Sequence, residues 1–252
     1  IDLTVRKGGH INPENVENEL PVAYEIINKA GLQLEMVVTD ITSINSPNAG
    51  KIIKTLARLG IFKYRLGYLF YNENEPIVNQ VNKYENQLRS LAELNRKHGV
   101  RGMYQNHQGD WFGSSCIDLG LVLSNIKSEF IGSQYDLRHA MAEGFKSWKT
   151  GFLSLKESII TQVLKDFVWE KDDKGKWFTK AVPVGEGVAD FQVYFGLCKK
   201  HGINTAFTLH PEHLYYDEIM NNGSKEEKIK HVIRKLTSEL QNFKKVYNEY
   251  YK

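Results

Sequence analysis

The sequence predicts an α/β protein, a parallel barrel of the (β/α)8 type from which one strand-helix unit is missing. Six short apolar runs each end in polar, ionisable residues: Thr39-Asp40, Arg65, Gln105-Asn106-His107, Asp136-Leu137-Arg138-His139, Lys165-Asp166 and His210-Pro211-Glu212-His213. The runs are rich in β-branched and aromatic residues. Stretches of helical periodicity separate them, which is the alternation of a parallel sheet built from strand-helix units. In a closed barrel the carboxyl ends of such strands converge on one face, so clusters scattered along the chain would meet in one pocket.

The elements follow in order. Ile1-Asp2-Leu3-Thr4-Val5-Arg6 reads as a strand. Asn12-Pro13-Glu14 starts a helix, with a cap, a proline at the first helical position and acid in the first turn, and Gly31 closes it. Strand LEMVVTDI, a helix over about 48–59, strand FKYRLGY and a long helix over about 76–97 come next, and His98-Gly99 makes the stop. Strand VRGMYQNH leads through a loop carrying Gly109, Gly113 and Ser114 to a helix over about 117–125, and strand FIGSQYD follows. Residues 153–158 precede strand TQVLKDF.

The segment 169–187 breaks the pattern. A turn-type run, Asp172-Asp173-Lys174-Gly175-Lys176, lies between Trp169 and Trp177-Phe178, which predicts a hairpin inserted in a strand-helix loop. Long excursions of this kind usually wall or cover a site. A helix over about 189–201, ended by Gly202, then strand TAFTL and a helix from 225 complete about seven units. Because the chain opens inside a strand, the missing unit is expected to be the first strand and helix, with a naturally open barrel as the alternative. Either would leave two strand edges to be covered.

With 252 residues and 41% hydrophobic content, the chain is long enough for a single barrel domain over 1–252. Its 33 basic and 30 acidic residues leave a formal charge of +3, too balanced to imply nucleic acid or a membrane surface as partner. The lysine-rich stretch 225–252 reads as a solvated helix face. Cys116 and Cys198 lie far apart without metal or redox spacing, and are expected reduced and partly buried. No apolar run reaches the roughly 18 residues of a membrane span, so a soluble protein is expected, cytoplasmic or periplasmic, which can form a homo-oligomer.

Several residues carry candidate chemistry. Asp136 and His139, at i and i+3 past a strand end, could face one cavity, although a helix cap at Asp136 is the plainer reading. A lysine such as Lys165 at a strand end in a barrel mouth is partly desolvated. It could shuttle a proton or stand as a fixed positive charge for an enediolate or carbonyl oxygen, and a salt bridge to Asp136 or Asp166 is the structural alternative. His107 and His210 end strands on the same rim and could serve as general acid and base. Arg65 could contact substrate or brace the barrel against Asp40. Arg6, Lys7 and His10 could bind a phosphate or carboxylate, although Gly8-Gly9 is too short for a phosphate loop. Tyr68, Trp111, Trp148 and Trp169 follow strand ends and could stack on sugar rings, with core packing as the alternative.

The order YQNHQG, QYDLRHA, VLKDF, VPVGEGVADFQVYFGLCKKHGIN and TLHPEH resembles the sugar phosphate isomerase/epimerase superfamily of xylose isomerase-like TIM barrels. The resemblance runs from Ile1 to about His213, and its most specific part is the Gly185-Glu186-Gly187 turn with Asp190-Phe191 after it. It implies one divalent metal (Mn, Mg, Zn or Co) at the carboxyl face and no nucleotide cofactor. The family's ligands are commonly an acid on the fifth strand, an aspartate on the sixth, a histidine on the seventh and an acid on the eighth. Here Asp136 matches the aspartate and His139 the histidine that often follows it. Gln105 stands for the fifth-strand acid, Val163 for the seventh-strand histidine, and His210 falls at or beside the eighth-strand acid. A set of Gln105, Asp136 and His210, helped by His139 or Glu212, carries little negative charge. It would bind metal weakly, or else hydrogen-bond sugar hydroxyls instead.

The expected function is therefore a sugar or keto-sugar isomerase or epimerase working by proton abstraction next to a carbonyl. Gln105, Asp136, His210, Arg65, Glu212, Arg6, His10 and Trp111 would hold the carbohydrate, and one of Lys165, His107 or His139 would move the proton, with Asp136 as ligand or base. A hydratase or lyase on an oxidised sugar is the first alternative, and a barrel that binds carbohydrate without catalysis is the second.

Overall fold

The protein is described by a computed structural model over residues 1–251. Its strands are β1 (Asp2–Thr4), β2 (Met36–Val38), β3 (Lys63–Arg65), β4 (Arg101–Gln105), β5 (Ile131–Asp136), β6 (Ile159–Leu164), β7 (Asp166–Lys171), β8 (Trp177–Val182) and β9 (Phe207–Leu209). Seven of them form one parallel sheet in the order β1-β2-β3-β4-β5-β6-β9, while β7 and β8 pair separately as an antiparallel hairpin. The sheet curls into a nearly closed barrel. Its gap falls between the first and last strands, where the Asp2 carboxyl, pushed up by burial, meets the Thr208 side chain. The expected fold class, the count of seven units and the hairpin are borne out, although the hairpin starts earlier, directly after Lys165.

The helices are α1 (Val16–Lys29), α2 (Ala49–Leu59), α3 (Ile77–His98), α4 (Ile117–Ile126), α5 (Leu137–Gly144), α6 (Trp148–Leu155), α7 (Phe191–Lys200), α8 (Glu218–Asn222) and α9 (Lys225–Tyr250). Gly60 and Gly99 end α2 and α3 in the left-handed region, at φ 71° and 66°, and their N–H groups close back on the last helical carbonyls. Ser224 and Glu227 make a reciprocal capping box at the start of α9. The start of α1 differs from expectation. Pro13, Glu14 and Asn15 form a 3-10 turn, Asn12 makes no side-chain cap, and the α-helix begins at Val16. Among the described residues no helix is long and apolar enough to cross a membrane.

Strand parity places the chemistry. On β3, β4 and β5 a tyrosine faces the helices and the next residue faces the barrel: Tyr64-Arg65, Tyr104-Gln105, Tyr135-Asp136. The Tyr64 hydroxyl donates to Asn95 on α3 at 2.9 Å, and the Tyr104 hydroxyl accepts from the Leu69 N–H at 2.9 Å. The opposite parity meets across the barrel, where Gln134 on β5 reaches Met36 on β2 and Thr161 on β6 reaches Met103 on β4. Met36, Val38, Met103 and Ile160 form a small apolar cluster apart from the main core, which lies between strands and helices.

Lys165 and Asp166, adjacent in sequence, therefore point opposite ways. The Asp166 carboxylate turns outward and accepts from the N–H groups of Gly185, Gly187 and Ala189 at 3.0, 2.9 and 3.0 Å, and from its neighbour Phe167 at 2.8 Å. This latch fixes the loop entering α7. At Gly187 a Cβ would stand 2.2 Å from Asp166 Oδ1, so the close approach requires glycine.

Candidate active site

The inward parity brings Arg65, Gln105, Asp136 and Lys165 together at the carboxyl end of the barrel, and all four are buried. Arg65 Nη1 and the Tyr68 hydroxyl both donate to Gln105 Oε1 at 2.7 Å. Since arginine can only donate, Oε1 must face it, and the amide Nε2 donates the other way to Asp136 Oδ2 at 2.9 Å. The Lys165 ammonium lies 2.9 Å from Asp136 Oδ2, 2.8 Å from Glu212 Oε1 and 2.9 Å from His139 Nε2. Arg138 Nη1 then donates to Glu212 Oε2 at 2.8 Å. Positive and negative groups thus alternate across the mouth: Lys165 lies between Asp136 and Glu212, Glu212 also meets Arg138, and Arg65 is joined to Asp136 through the Gln105 amide.

Asp136 is held from three sides. The Asn106 side chain donates to its carbonyl at 2.9 Å and accepts from its N–H at 2.8 Å. Its own Oδ1 caps α5 by accepting from the His139 N–H at 3.2 Å. The helix cap expected as the alternative is present, and the other carboxylate oxygen is turned to Gln105 and Lys165, because β5 runs straight into α5 and puts the carboxylate at their junction.

The histidines are neutral for a common reason. Burial holds the His139 imidazole well below its usual range, and the Lys165 charge adds to this. Its Nδ1 faces Gln108 Oε1 at 3.3 Å, which places the proton there and leaves Nε2 to accept from Lys165. His107 packs over His139 with ring centroids 4.0 Å apart, and burial lowers it as well. Its Nδ1 donates to the Gln108 carbonyl at 2.8 Å, so its lone pair is on Nε2. Burial and then Lys165 push half-buried His210 down to about 3.

Above the charges lies an open cleft of about 540 Å³, lined by His107, Gln108, Arg138, His139, Glu212 and the hairpin residues. On one side Tyr68, His107 and Trp111 pack ring to ring, at 5.1 Å for Tyr68–His107 and 4.9 Å for Tyr68–Trp111, with Phe70 behind Trp111. On the other, Trp169 and Trp177 stand on the hairpin. Thr179 on β8 ties that hairpin down, its hydroxyl meeting Gln108 Nε2 at 3.0 Å and Arg138 Nη2 at 3.1 Å. The excursion is thus a pinned wall. A cleft of similar size, about 570 Å³ between α8 and α9, holds none of the mouth's buried charges.

Not every expected residue joins the mouth. His10 is exposed and bonded to Thr4, whose hydroxyl lies 2.7 Å from His10 Nδ1, while Arg6 is half-buried. Asp40 is exposed and does not brace Arg65, which is spent on Gln105. Trp148 is core. Arg138, Gln108, Asn106 and Thr179 were not singled out by sequence. Arg138 and Asn106 sit inside the polar clusters and Gln108 directly follows one, which is a signal, whereas Thr179 carries none.

The divalent metal expected on Gln105, Asp136 and His210 does not fit these residues. Gln105 presents N–H donors to Asp136 and its oxygen to Arg65 and Tyr68, so it offers a cation nothing. Asp136 Oδ2 already accepts from Gln105 and Lys165. Among the described residues no group of three or more His, Cys, Asp or Glu is spaced to hold a metal ion.

Comparison with known proteins agrees on the fold. The sequence model of a family described as a xylose isomerase-like TIM barrel matches residues 48–238. Among solved structures, a xylose isomerase domain protein from Planctomyces limnophilus is 13% identical, with a TM-score of 0.68, over 99% of this chain and 88% of that one. D-psicose 3-epimerase from Clostridium cellulolyticum H10, solved with D-tagatose, is 11% identical, with a TM-score of 0.69, over 97% and 88%. A xylose isomerase-like TIM barrel protein from Mycobacterium smegmatis, solved with magnesium, is 14% identical, with a TM-score of 0.58, over 88% and 79%. At these identities the likeness is one of fold. No curated protein matches the chain by sequence.

Proposed function

The chain belongs to the xylose isomerase-like TIM barrel family, and from that premise we propose that it is an enzyme that isomerises or epimerises a sugar or keto-sugar by moving a proton next to a carbonyl. The observation that carries this reading is the buried Lys165 ammonium, held against Asp136, Glu212 and His139 beneath an open cleft, with the neutral His107 ring beside it.

The roles follow from the bonding. His139 has both ring nitrogens engaged and orients Lys165. His107 has a free lone pair on Nε2 and is the base. It takes the proton from the carbon beside the carbonyl, the C–H pair becomes the carbon-carbon double bond, and the carbonyl π pair moves onto oxygen. The Lys165 ammonium stabilises that oxygen. Glu212 is the partner that a substrate oxygen would displace, being the most exposed of the group, with 29% of its side chain accessible. The Nε–H donors of Arg65 and Arg138 are buried without a protein partner and suit further substrate oxygens. Tyr68 and Trp111 supply an aromatic wall for a sugar face. Return of the proton to the other face gives the epimer, and return to the neighbouring carbon gives the isomer.

The test is incubation with a panel of ketohexoses and keto-glycosides in deuterium oxide, followed by proton NMR. Deuterium entering beside the carbonyl, and lost in His107→Gln, is the expected result. Unsaturated product would favour the lyase alternative. Sugar binding with no exchange in any substrate would make the protein a carbohydrate-binding barrel.

A further inference from the structure

We propose that the Lys165 ammonium occupies the cation position of this barrel, so that the chain supplies from its own side chain the charge a divalent metal would bring, and that removing the amine lets Asp136, His139 and Glu212, which are not spaced for a metal while it is there, close onto one. The function of that charge rests on the proton-transfer reading above, but the position itself does not.

Three observations converge. The first is the acceptor set: two carboxylate oxygens and an imidazole nitrogen, all of them metal-ligand types, point at one atom, and that atom is Nζ. An ammonium has three N–H donors, and these acceptors use all three. The second is size. The acceptors stand 2.8–2.9 Å from the centre, the distance of a charged hydrogen bond, whereas carboxylate and imidazole ligands close on zinc to about 2.0–2.2 Å. The third is charge. Arg65, Lys165 and Arg138 bring three positive charges to a mouth whose carboxylates are Asp136 and Glu212, and Gln105, held by Arg65, turns its amide donor toward Asp136. A dication added to this set would only enlarge its excess of positive charge.

Parity explains how the amine arrives there. Val163 is a buried apolar residue at a position from which a ligand could point inward, and it contributes no donor or acceptor. Lys165 lies two residues on and shares the same face. Its four-carbon stem lets the ammonium reach the centre from the strand end, and the turn at Pro211 brings Glu212 in from the following strand to meet it.

Cobalt(II) titration of the purified protein and of Lys165→Ala, followed by visible absorption and by melting temperature, tests this. The parent is expected to take up no stoichiometric cobalt. Lys165→Ala, which leaves Asp136 without its cationic partner and Glu212 with Arg138 alone, is expected to take up about one equivalent, show ligand-field bands and melt higher with cobalt than without. The double variant Lys165→Ala/Asp136→Asn should lose that uptake. One equivalent bound by the parent overturns the proposal, as does a folded Lys165→Ala that ignores cobalt or a double variant that still binds it. If Lys165→Ala does not fold, the parent titration decides alone. None of these readouts uses turnover, so a wrong substrate class leaves them intact.

Discussion

Lys165 and Asp166 are neighbours at the end of one strand, and the environments they enter differ in how a buried charge is matched. Lys165 turns into the barrel, where its partners are side chains from two separate segments: Asp136 and His139 at the β5–α5 junction, and Glu212 after β9. Asp166 turns out and is matched by backbone N–H groups of Phe167, Gly185, Gly187 and Ala189. Side-chain partners can exchange for a ligand, and one of them, Glu212, is partly exposed. Backbone partners cannot leave without unmaking the loop. The inner charge is therefore suited to chemistry and the outer one to architecture.

Removing each charge in turn should move a different observable. Lys165→Met keeps the stem and deletes the charge. The expected result is a fall in kcat of about 10³-fold, the scale of a lost oxyanion-stabilising donor, with binding of the sugar largely kept. Asp166→Ala should do the reverse. It removes the acceptor of four amides, that of buried Phe167 and three partly buried ones in the loop; with about 1–3 kcal/mol for each buried group and less for the wetter ones, a loss of roughly 4 kcal/mol in denaturant unfolding is expected while kcat changes little. If Lys165→Met unfolds the protein while Asp166→Ala abolishes turnover of a stable one, the assignment of the two charges is reversed.

What the sequence allowed to be read follows the same division. The barrel and the depth of its mouth were legible because polar residues ended apolar runs, and the dipeptides Tyr64-Arg65, Tyr104-Gln105 and Tyr135-Asp136 show why: one residue packs, the next one faces inside. Partners were not legible. Lys165 meets Glu212, 47 residues further on, only because a 3-10 turn after Pro211 swings that carboxylate in. The metal set expected from the resemblance presumed that the residues at the strand ends would all present acceptors. The Arg65 guanidinium dictates which end of Gln105 faces Asp136, and no pattern in the chain announces that. Thr179 was invisible because a threonine in a hairpin has no distinguishing spacing.

A third way to sharpen the contrast uses His107. Its imidazole is lowered by burial, so the proposed base is already neutral at pH 7, and the acid limb of kcat/KM should fall below the ordinary imidazole value of about 6.5. His107→Gln should cost about 10²-fold in kcat and erase that limb without changing the melting temperature. A limb that persists in His107→Gln assigns the titration to another group of the mouth and removes His107 from the mechanism.

The smallest expected effect belongs to the outer region and runs the other way with pH. Glu239 on α9 is buried against the latch loop, where its carboxylate accepts from the Val184 N–H at 3.3 Å; burial, with the charges of Glu186 and Asp166 behind it, raises it to about 7. In the unfolded chain it titrates near the usual 4.3. Between those values the folded state holds the extra proton, so this group's contribution to stability is present at low pH and is lost as pH rises through about 7. The loss is on the order of 2 kcal/mol, since a tenfold change in proton affinity is worth about 1.4 kcal/mol and solvent at the edge of the loop screens part of the effect. Glu239→Gln, which keeps an acceptor for Val184 and cannot ionise, should flatten the decline of unfolding free energy between about pH 4 and 7 and leave the acid limb of kcat/KM in place. One pH series read by two observables then separates the regions: activity reports the charges inside the barrel and stability those outside it. A Glu239→Gln protein that moves the activity limb would join the two into a single titrating network.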